Sequence, residues 1–321
     1  MSKSKIVSYE KPNLAVLERI RASGHLRNHE KRALKSYMEK IDIKTGLVKV
    51  DYKVEKDSFG RYKNEAVKGK SRTTFTGTLM RRDIRNLAFG ELYDDLDIAN
   101  ASACVMRKLF AENGLPTEHL SYLVNNREDV LQLLMDELGI YRRTAKDIFI
   151  EIFFCGSGEA SMYGELNPYK RYKMPSFVER LKDEYNTNLE HLVDNPEYAD
   201  IRNFCVANSE KKGKEAWFGT FASFLYQDEE RKIIEVIYND IVEIGKKRKI
   251  ENPTGAIIFD GLHILKTLNI RNCIEKIEAT VLSKTGYKVK LEIKEMEVDA
   301  EEKAKLLGDE KVELSYEARK A

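Results

Sequence analysis

Cysteine is scarce and badly spaced for any joint task. Cys104, Cys155, Cys205 and Cys273 lie about fifty residues or more apart in a chain of 321, and no CxxC pair occurs. This excludes a disulfide framework and a cysteine zinc site, and it points to a reducing compartment. Long apolar runs are lacking as well. "GAIIF" at Gly255–Phe259 is among the longest, far below the ~20 residues that cross a bilayer. The opening "MSKSKIVSYEKPN" has no apolar core of signal-peptide length. Internal repeats and low-complexity segments are absent. The expectation is a cytoplasmic protein with no membrane partner.

What is present is an ordinary globular composition, 42% hydrophobic and 34% charged, on a chain long enough for two or three lobes with a proper core. The net charge of +2 is unevenly spread. Residues 1–90 hold 22 Lys and Arg against 10 Asp and Glu, so the rest of the chain carries about −10. A basic N-terminal third beside an acidic remainder points to a polyanion partner at one end. A solvated lysine-rich surface is the alternative.

Hydrophobic spacing predicts two short helices within residues 13–41, on Leu14, Leu17 and Ile20 and then Leu34, Tyr37, Met38 and Ile41. "GLVKVDYKV" alternates with period two and runs into the turn signal "KDSFGRY", which predicts a hairpin. Residues 64–90 are basic with few apolar anchors and read as an extended loop. "ELYDDLDIANASACVMRKLF" reads as a strand that becomes a helix, followed by a long helical stretch to about residue 250. "GAIIFDGLHILK" reads as two β runs meeting at Asp260-Gly261, a strong hairpin signal. A helix over 271–284 and the period-two strand "YKVKLEIKEMEV" complete the ordered part. The last twenty residues are charged and read as frayed. This order predicts an α+β fold, in which separated β segments share one antiparallel sheet and the helical insertion stands apart.

Two carboxylates stand out. Asp97 ends the apolar-framed run "LYDDLDI", and Asp260 ends "AIIF" at a tight turn. A carboxylate at the end of a buried strand is costly without a cation or a metal beside it. Two of them, brought together from distant segments, are what two-metal phosphoryl transfer needs. Helix capping by Asp97 and turn chemistry at Asp260 are the alternatives. "RRTAKDIFIEIFFCGSGEAS" (Arg142–Ser161) places Arg142 and Lys146 at i, i+4, on one helix face that Phe149, Ile150, Phe153 and Phe154 continue. Cations suit a triphosphate, and rings suit a base or sugar. An amphipathic helix with solvated arginines is the plain alternative.

"LDIANAS", "RRTAKDIFIEIFF" and "IIFDGLHI", in this order, resemble the palm and fingers motifs of family A DNA polymerases and the related single-subunit RNA polymerases. The divergent enzymes of large viruses and mobile elements, some acting as primases, are the most similar. The resemblance covers about residues 60–295. It implies a right-hand palm in two parts (71–110 and 250–300), helical fingers and connecting helices (111–249), a basic N-terminal element in place of a thumb (1–70) and a charged tail (301–321). It further implies two Mg²⁺ ions (Mn²⁺ substituting) held by Asp97, Asp260 and the carbonyl of Ile98. Arg142, Arg143 and Lys146 are implied to clamp the triphosphate, with Lys146 protonating the leaving pyrophosphate. Ser102, Ile150 and Phe154 are implied to border the nucleotide, with Phe149 or Phe153 as alternative rings. Gly156, Gln227, Arg72, Arg82 and Arg85 are implied to meet template and primer.

The departures from the family pattern are specific. Ser102 stands where a Glu is usual. Phe259-Asp260-Gly261 replaces a His-Asp-acidic run, and Cys155 stands where a glycine follows the fingers tyrosine. The expected reaction is primer extension on a DNA template with nucleoside triphosphates, in mobile-element or viral replication. Processivity is expected to be low, with a small accessory protein and a helicase as candidate partners, and with no proofreading exonuclease. A primase acting with a partner, and a decayed nucleic-acid-binding replication subunit, are the alternatives. A non-catalytic helical scaffold is a third, in which Asp97 and Asp260 would be unrelated in space.

Overall fold

Residues 5–54, 59, 63–64, 76–167, 172–211 and 217–308 are described by the computed structural model. The first strand, β1 (Lys5–Glu10), turns Ile6, Ser8 and Glu10 inward. Two of these three are polar, so its alternation is invisible to a hydrophobicity pattern and the strand was not expected. Helices α1 (Leu14–Ala22) and α2 (Asn28–Met38) follow as expected and bury Leu17, Ile20, Leu34 and Tyr37. Strand β2 (Val48–Lys53) pairs antiparallel with β1 on one side and with the short β3 (Lys63–Asn64) on the other. The expected hairpin is therefore the β2–β3 pair, although most of its turn lies outside the described residues. Fully buried Glu10 is held by the hydroxyls of Tyr37 (2.9 Å) and Tyr52 (3.4 Å) and by the Gly77 N–H (3.0 Å). Burial pushes its carboxyl up to about 7.

The expectation of an extended loop over 64–90 needs correction where the chain is described. Residues 82–89 form α3 (Arg82–Phe89), which buries Ile84, Ala88 and Phe89. One apolar stripe suffices to dock a two-turn helix, whatever the charge of its outer face. Strand β4 (Tyr93–Ile98) leads into α4 (Ala101–Glu112). The helical stretch continues through α5 (Glu118–Asn125), α6 (Arg127–Leu138), α7 (Arg142–Phe153), α8 (Glu159–Tyr163), α9 (Ser176–Asp194), α10 (Ala199–Lys211) and α11 (Phe218–Arg248). Strands β5 (Thr254–Ile258) and β6 (Gly261–Leu265), helix α12 (Ile274–Thr285), strand β7 (Leu291–Lys294) and helix α13 (Ala300–Leu307) complete the described chain.

A second, four-stranded sheet runs in the order β5-β6-β4-β7 with every neighbour antiparallel. It joins segments more than 150 residues apart, so the α+β layout with an antiparallel sheet holds. Strand β7 is four residues long, much shorter than the period-two run from which it was read. The tail is not frayed at its start. Asp299 caps α13 by accepting from the Glu301 and Glu302 N–H groups, and Leu306 is fully buried where α13 packs on α1 and α3. Among the described residues no helix is long and apolar enough to cross a membrane.

Candidate active site

Side chains of β4 alternate between the two faces of the sheet, although burial does not follow strictly, since Asp94 and Asp95 are both half-buried. Leu96 and Ile98 are buried on one face, whereas Asp95 and Asp97 share the other with Tyr93. At the Tyr93 end that second face is closed by aromatic packing, with Phe89 of α3 and His263 of β6 at ring distances of 5.5–6.0 Å. His263 is fully buried, and burial pushes its imidazole down to about 3, so it is a neutral core ring. At the Asp97 end the face opens into a cleft of about 170 Å³.

The hairpin between β5 and β6 delivers the second carboxylate. Gly261 already pairs with Ile258 and with Asp97. The turn therefore consists of Phe259 and Asp260, not of Asp260-Gly261 as the dipeptide suggested. Gly261 serves a different purpose. A Cβ there would meet the Leu96 carbonyl oxygen at 2.6 Å and Asp97 Oδ1 at 3.0 Å. Its missing side chain is the space that Asp97 uses. The Asp260 carbonyl accepts the Ile98 N–H at 3.1 Å, which clamps the turn against the end of β4. Phe259 holds φ at +52°, as does Asn100 at the start of α4. Asparagine tolerates that left-handed conformation, but a phenylalanine there is an outlier. Such backbone strain clusters at functional sites.

Helices α6 and α7 supply the opposite wall. The cleft is lined by Asp97, Ile98 and Asp260 from the sheet, by Ser102 in the first turn of α4, and by Arg127, Lys146, Phe149, Ile150 and Phe153 from α6 and α7, with Lys294 on β7. Helical spacing from Lys146 is what puts Phe149, Ile150 and Phe153 on the same face. Burial pushes the Lys146 ammonium below its ordinary range, and Arg142, Arg127 and Lys294 push it the same way. The Asp95 carboxyl is raised, first by burial and then by the neighbouring Asp97 charge.

Several expected site residues lie elsewhere. Arg142 donates to both Glu128 carboxylate oxygens, at 2.7 and 2.5 Å, and does not line the cleft. Arg143 is 93% exposed, with Asp147 at 3.9 Å. Phe154 is the C-cap of α7 and is absent from the lining, which leaves Phe149 and Phe153 as the cleft's rings. Gly156 packs on Glu151, whose Cγ a Cβ would meet at 2.4 Å, so its close approach serves the chain's own turn. Gln227 on α11 donates to the Ser223 hydroxyl at 2.6 Å. Arg82 is exposed on α3, and Arg85 donates to the Met80 carbonyl at 3.4 Å. None of these three lines the cleft, and Arg72 lies outside the described residues. Asp97 and Asp260 line one cleft, so they are not unrelated in space as the scaffold alternative had them.

Sequence reasoning missed Arg127 and Lys294. Arg127 begins α6 inside the ordinary helical run "REDVLQLLMDELG" and carries no local signal. Lys294 sits on a strand whose alternation was visible, but its face was unknown until β7 paired with β4.

Among the described residues, no three metal-binding side chains of the His, Cys, Asp and Glu kind gather in one place. Mg²⁺ does not require that many, because it keeps several waters and is held by one or two carboxylates together with substrate phosphates. Asp97 and Asp260 are hard oxygen donors of this kind. The Lys294 ammonium is bonded to Asp97 Oδ2, so that carboxylate already takes a cation. The donor set fits the group. A further cavity, of about 680 Å³, adjoins through the shared residues Asn100 and Arg127 and carries Arg107, Lys288 and Lys290.

No protein-family model matches the chain, and no curated protein matches it by sequence. Among solved structures, the POL domain of Pol1 from M. smegmatis, in complex with DNA primer-template and dNTP, aligns over 83% of this chain at 10% identity with a TM-score of 0.54. The chain spans 50% of that domain. The likeness is one of backbone architecture, and by it the chain has a polymerase-like fold.

Proposed function

We propose that the chain is a template-directed nucleotidyltransferase of the family A DNA polymerase type, which adds deoxynucleotides to a primer 3′-hydroxyl. One observation carries the reading. Asp97 and Asp260, from β segments more than 160 residues apart, line one cleft whose opposite wall presents Lys146 and Arg127. The four-stranded sheet is then the palm, and the helices from α5 to α11 are the fingers and their connections. The DNA and dNTP bound in the structural neighbour support the same partners here.

In this reading Asp97, Asp260 and the Ile98 carbonyl hold two magnesium ions. The ions would supply activation of the attacking hydroxyl and neutralisation of the leaving pyrophosphate. Arg127 binds the phosphates by charge-assisted hydrogen bonds, and the adjoining cavity gives the polyphosphate tail room beyond it. Lys146, its proton loosened by burial and by neighbouring cations, is in this reading the proton donor to the departing pyrophosphate, supported by its place in the cleft lining. Phe149 and Phe153 offer apolar surface to the sugar or base. Ser102 lines the cleft without the bulk of an acidic side chain. This favours tolerance of ribonucleotides, and with it a second reading as a primase acting with a partner protein.

Primer extension on a defined template, with Mg²⁺ and with EDTA, tests the proposal. The wild type should incorporate only with the metal, and Asp97→Ala or Asp260→Ala should abolish incorporation while DNA binding survives. Full activity of either variant would end the reading.

A further inference from the structure

We propose that Lys294 is the resident counter-cation of Asp97, which a divalent ion must displace in order to bind there. The inference rests on the two-metal reading above, and its test separates the two.

Pairing of β4 with β7 sets Lys294 opposite Asp95 and Glu292 opposite Asp97. All four side chains therefore point to one face of the sheet. The Lys294 side chain does not stop at its direct partner. It reaches diagonally along β4 and donates to Asp97 Oδ2, a step within the span of a long side chain across a strand pair. Glu292, directly across from Asp97, lines the neighbouring cavity and brings no positive charge to the cleft.

Exposure of the two partners gives the contact its direction of exchange. The Asp97 side chain is 20% exposed and that of Lys294 is 48% exposed. The carboxylate is thus mostly withdrawn from water and fixed by the strand. The ammonium sits on a flexible four-carbon stem with solvent beside it. When a divalent ion arrives, the lysine is the partner able to leave. An ammonium and a divalent ion on the same carboxylate oxygen repel each other, so their occupancies of Asp97 Oδ2 compete. Lys294 also adds to the positive field of Lys146 and Arg127, which opposes metal entry before any phosphate is bound.

The test reads metal binding without nucleotide or DNA. Mn²⁺ is titrated into the full chain, and free Mn²⁺ is followed by electron paramagnetic resonance. Lys294→Met, which keeps the length and removes the charge, should lower the dissociation constant about fivefold, the upper range for one partly exposed ion pair. Lys294→Arg should stay near the wild type. In an Asp97→Asn background the gain from Lys294→Met should vanish, because the competitor then has nothing to guard. Lys294→Gln provides a second neutral variant, and circular dichroism melting checks that each protein is folded. Equal binding by the wild type and both neutral variants overturns the inference while leaving the two-metal reading in place. Weaker binding by the neutral variants also overturns it. No Mn²⁺ binding by any of the proteins overturns the inference alone, because the two-metal reading has the ions held together with substrate phosphates and is decided by the primer-extension test.

Discussion

Gly261→Ala is a one-carbon change whose effect follows from the geometry. The added Cβ would lie 2.6 Å from the Leu96 carbonyl oxygen and 3.0 Å from Asp97 Oδ1. The first of these neighbours is backbone and cannot rotate away. Restoring an ordinary 3.4 Å contact with it means lengthening 2.6 Å by 0.8 Å, which β4 and β6 can achieve only by parting at the point where they pair. Overpacking of this size costs ~1–3 kcal/mol of stability. The catalytic loss should be larger in proportion, because Asp97 itself is pushed, and misplacing a reacting group by about 1 Å costs roughly 10²-fold in rate. Urea unfolding gives the first number, and single-nucleotide incorporation by a molar excess of enzyme, at a temperature where the variant is fully folded, gives the second. The reasoning fails if the variant loses less than about 0.5 kcal/mol, the scale of a neutral surface change. It also fails if incorporation by the folded variant matches the wild type, since Gly261 would then not be making room for Asp97.

Arg127→Ala should raise the nucleotide KM by roughly ten- to a hundredfold, as expected for a lost charge-assisted hydrogen bond. Arg142→Ala, which removes the partner of Glu128, should change KM less; equal effects in steady-state kinetics would contradict the assignment. Ser102→Glu should increase rejection of ribonucleotides by roughly two orders of magnitude, read from paired dNTP and rNTP incorporation. A wild type that already rejects ribonucleotides by about four orders would refute the idea that Ser102 leaves room for the ribose hydroxyl. Glu10 should make stability fall with rising pH. Its carboxyl sits at about 7 in the folded chain against an ordinary 4.5, so its contribution is fully present below pH 4.5 and is lost as pH rises through 7. The shift corresponds to ~3 kcal/mol. Glu10→Gln should flatten that slope in urea midpoints measured from pH 4.5 to 8, and an unchanged slope would place the titration elsewhere.

Local pattern carried much of the architecture. The helices at 14–22 and 28–38, the strand-to-helix passage through Asp97, the long helical stretch and the β5–β6 hairpin are all legible, because period and turn chemistry are properties of neighbouring residues. Strand β1 and helix α3 were not. Strand β1 turns Ser8 and Glu10 inward, and their burial is compensated by groups from elsewhere: the Thr254 carbonyl takes the Ser8 hydroxyl (3.3 Å), and the hydroxyls of Tyr37 and Tyr52 reach Glu10. The basic surface of α3 masked its narrow apolar stripe.

The sequence by itself singled out the two carboxylates, since a charged residue ending an apolar strand must meet a cation, a helix N-terminus or a turn. Only the tertiary structure decided what faces them. Arg142 and Arg127 are equally cationic on paper, yet Glu128 takes the first and the cleft takes the second. Lys294 becomes a partner of Asp97 because β7 pairs with β4 in one register, and a slip of one residue would turn it to the other face. Gly261 reads as a turn residue until the strands close and show that its absent side chain is the room Asp97 occupies. Such facts depend on contacts between residues 14 to 197 positions apart, which no local pattern of hydrophobicity or charge encodes.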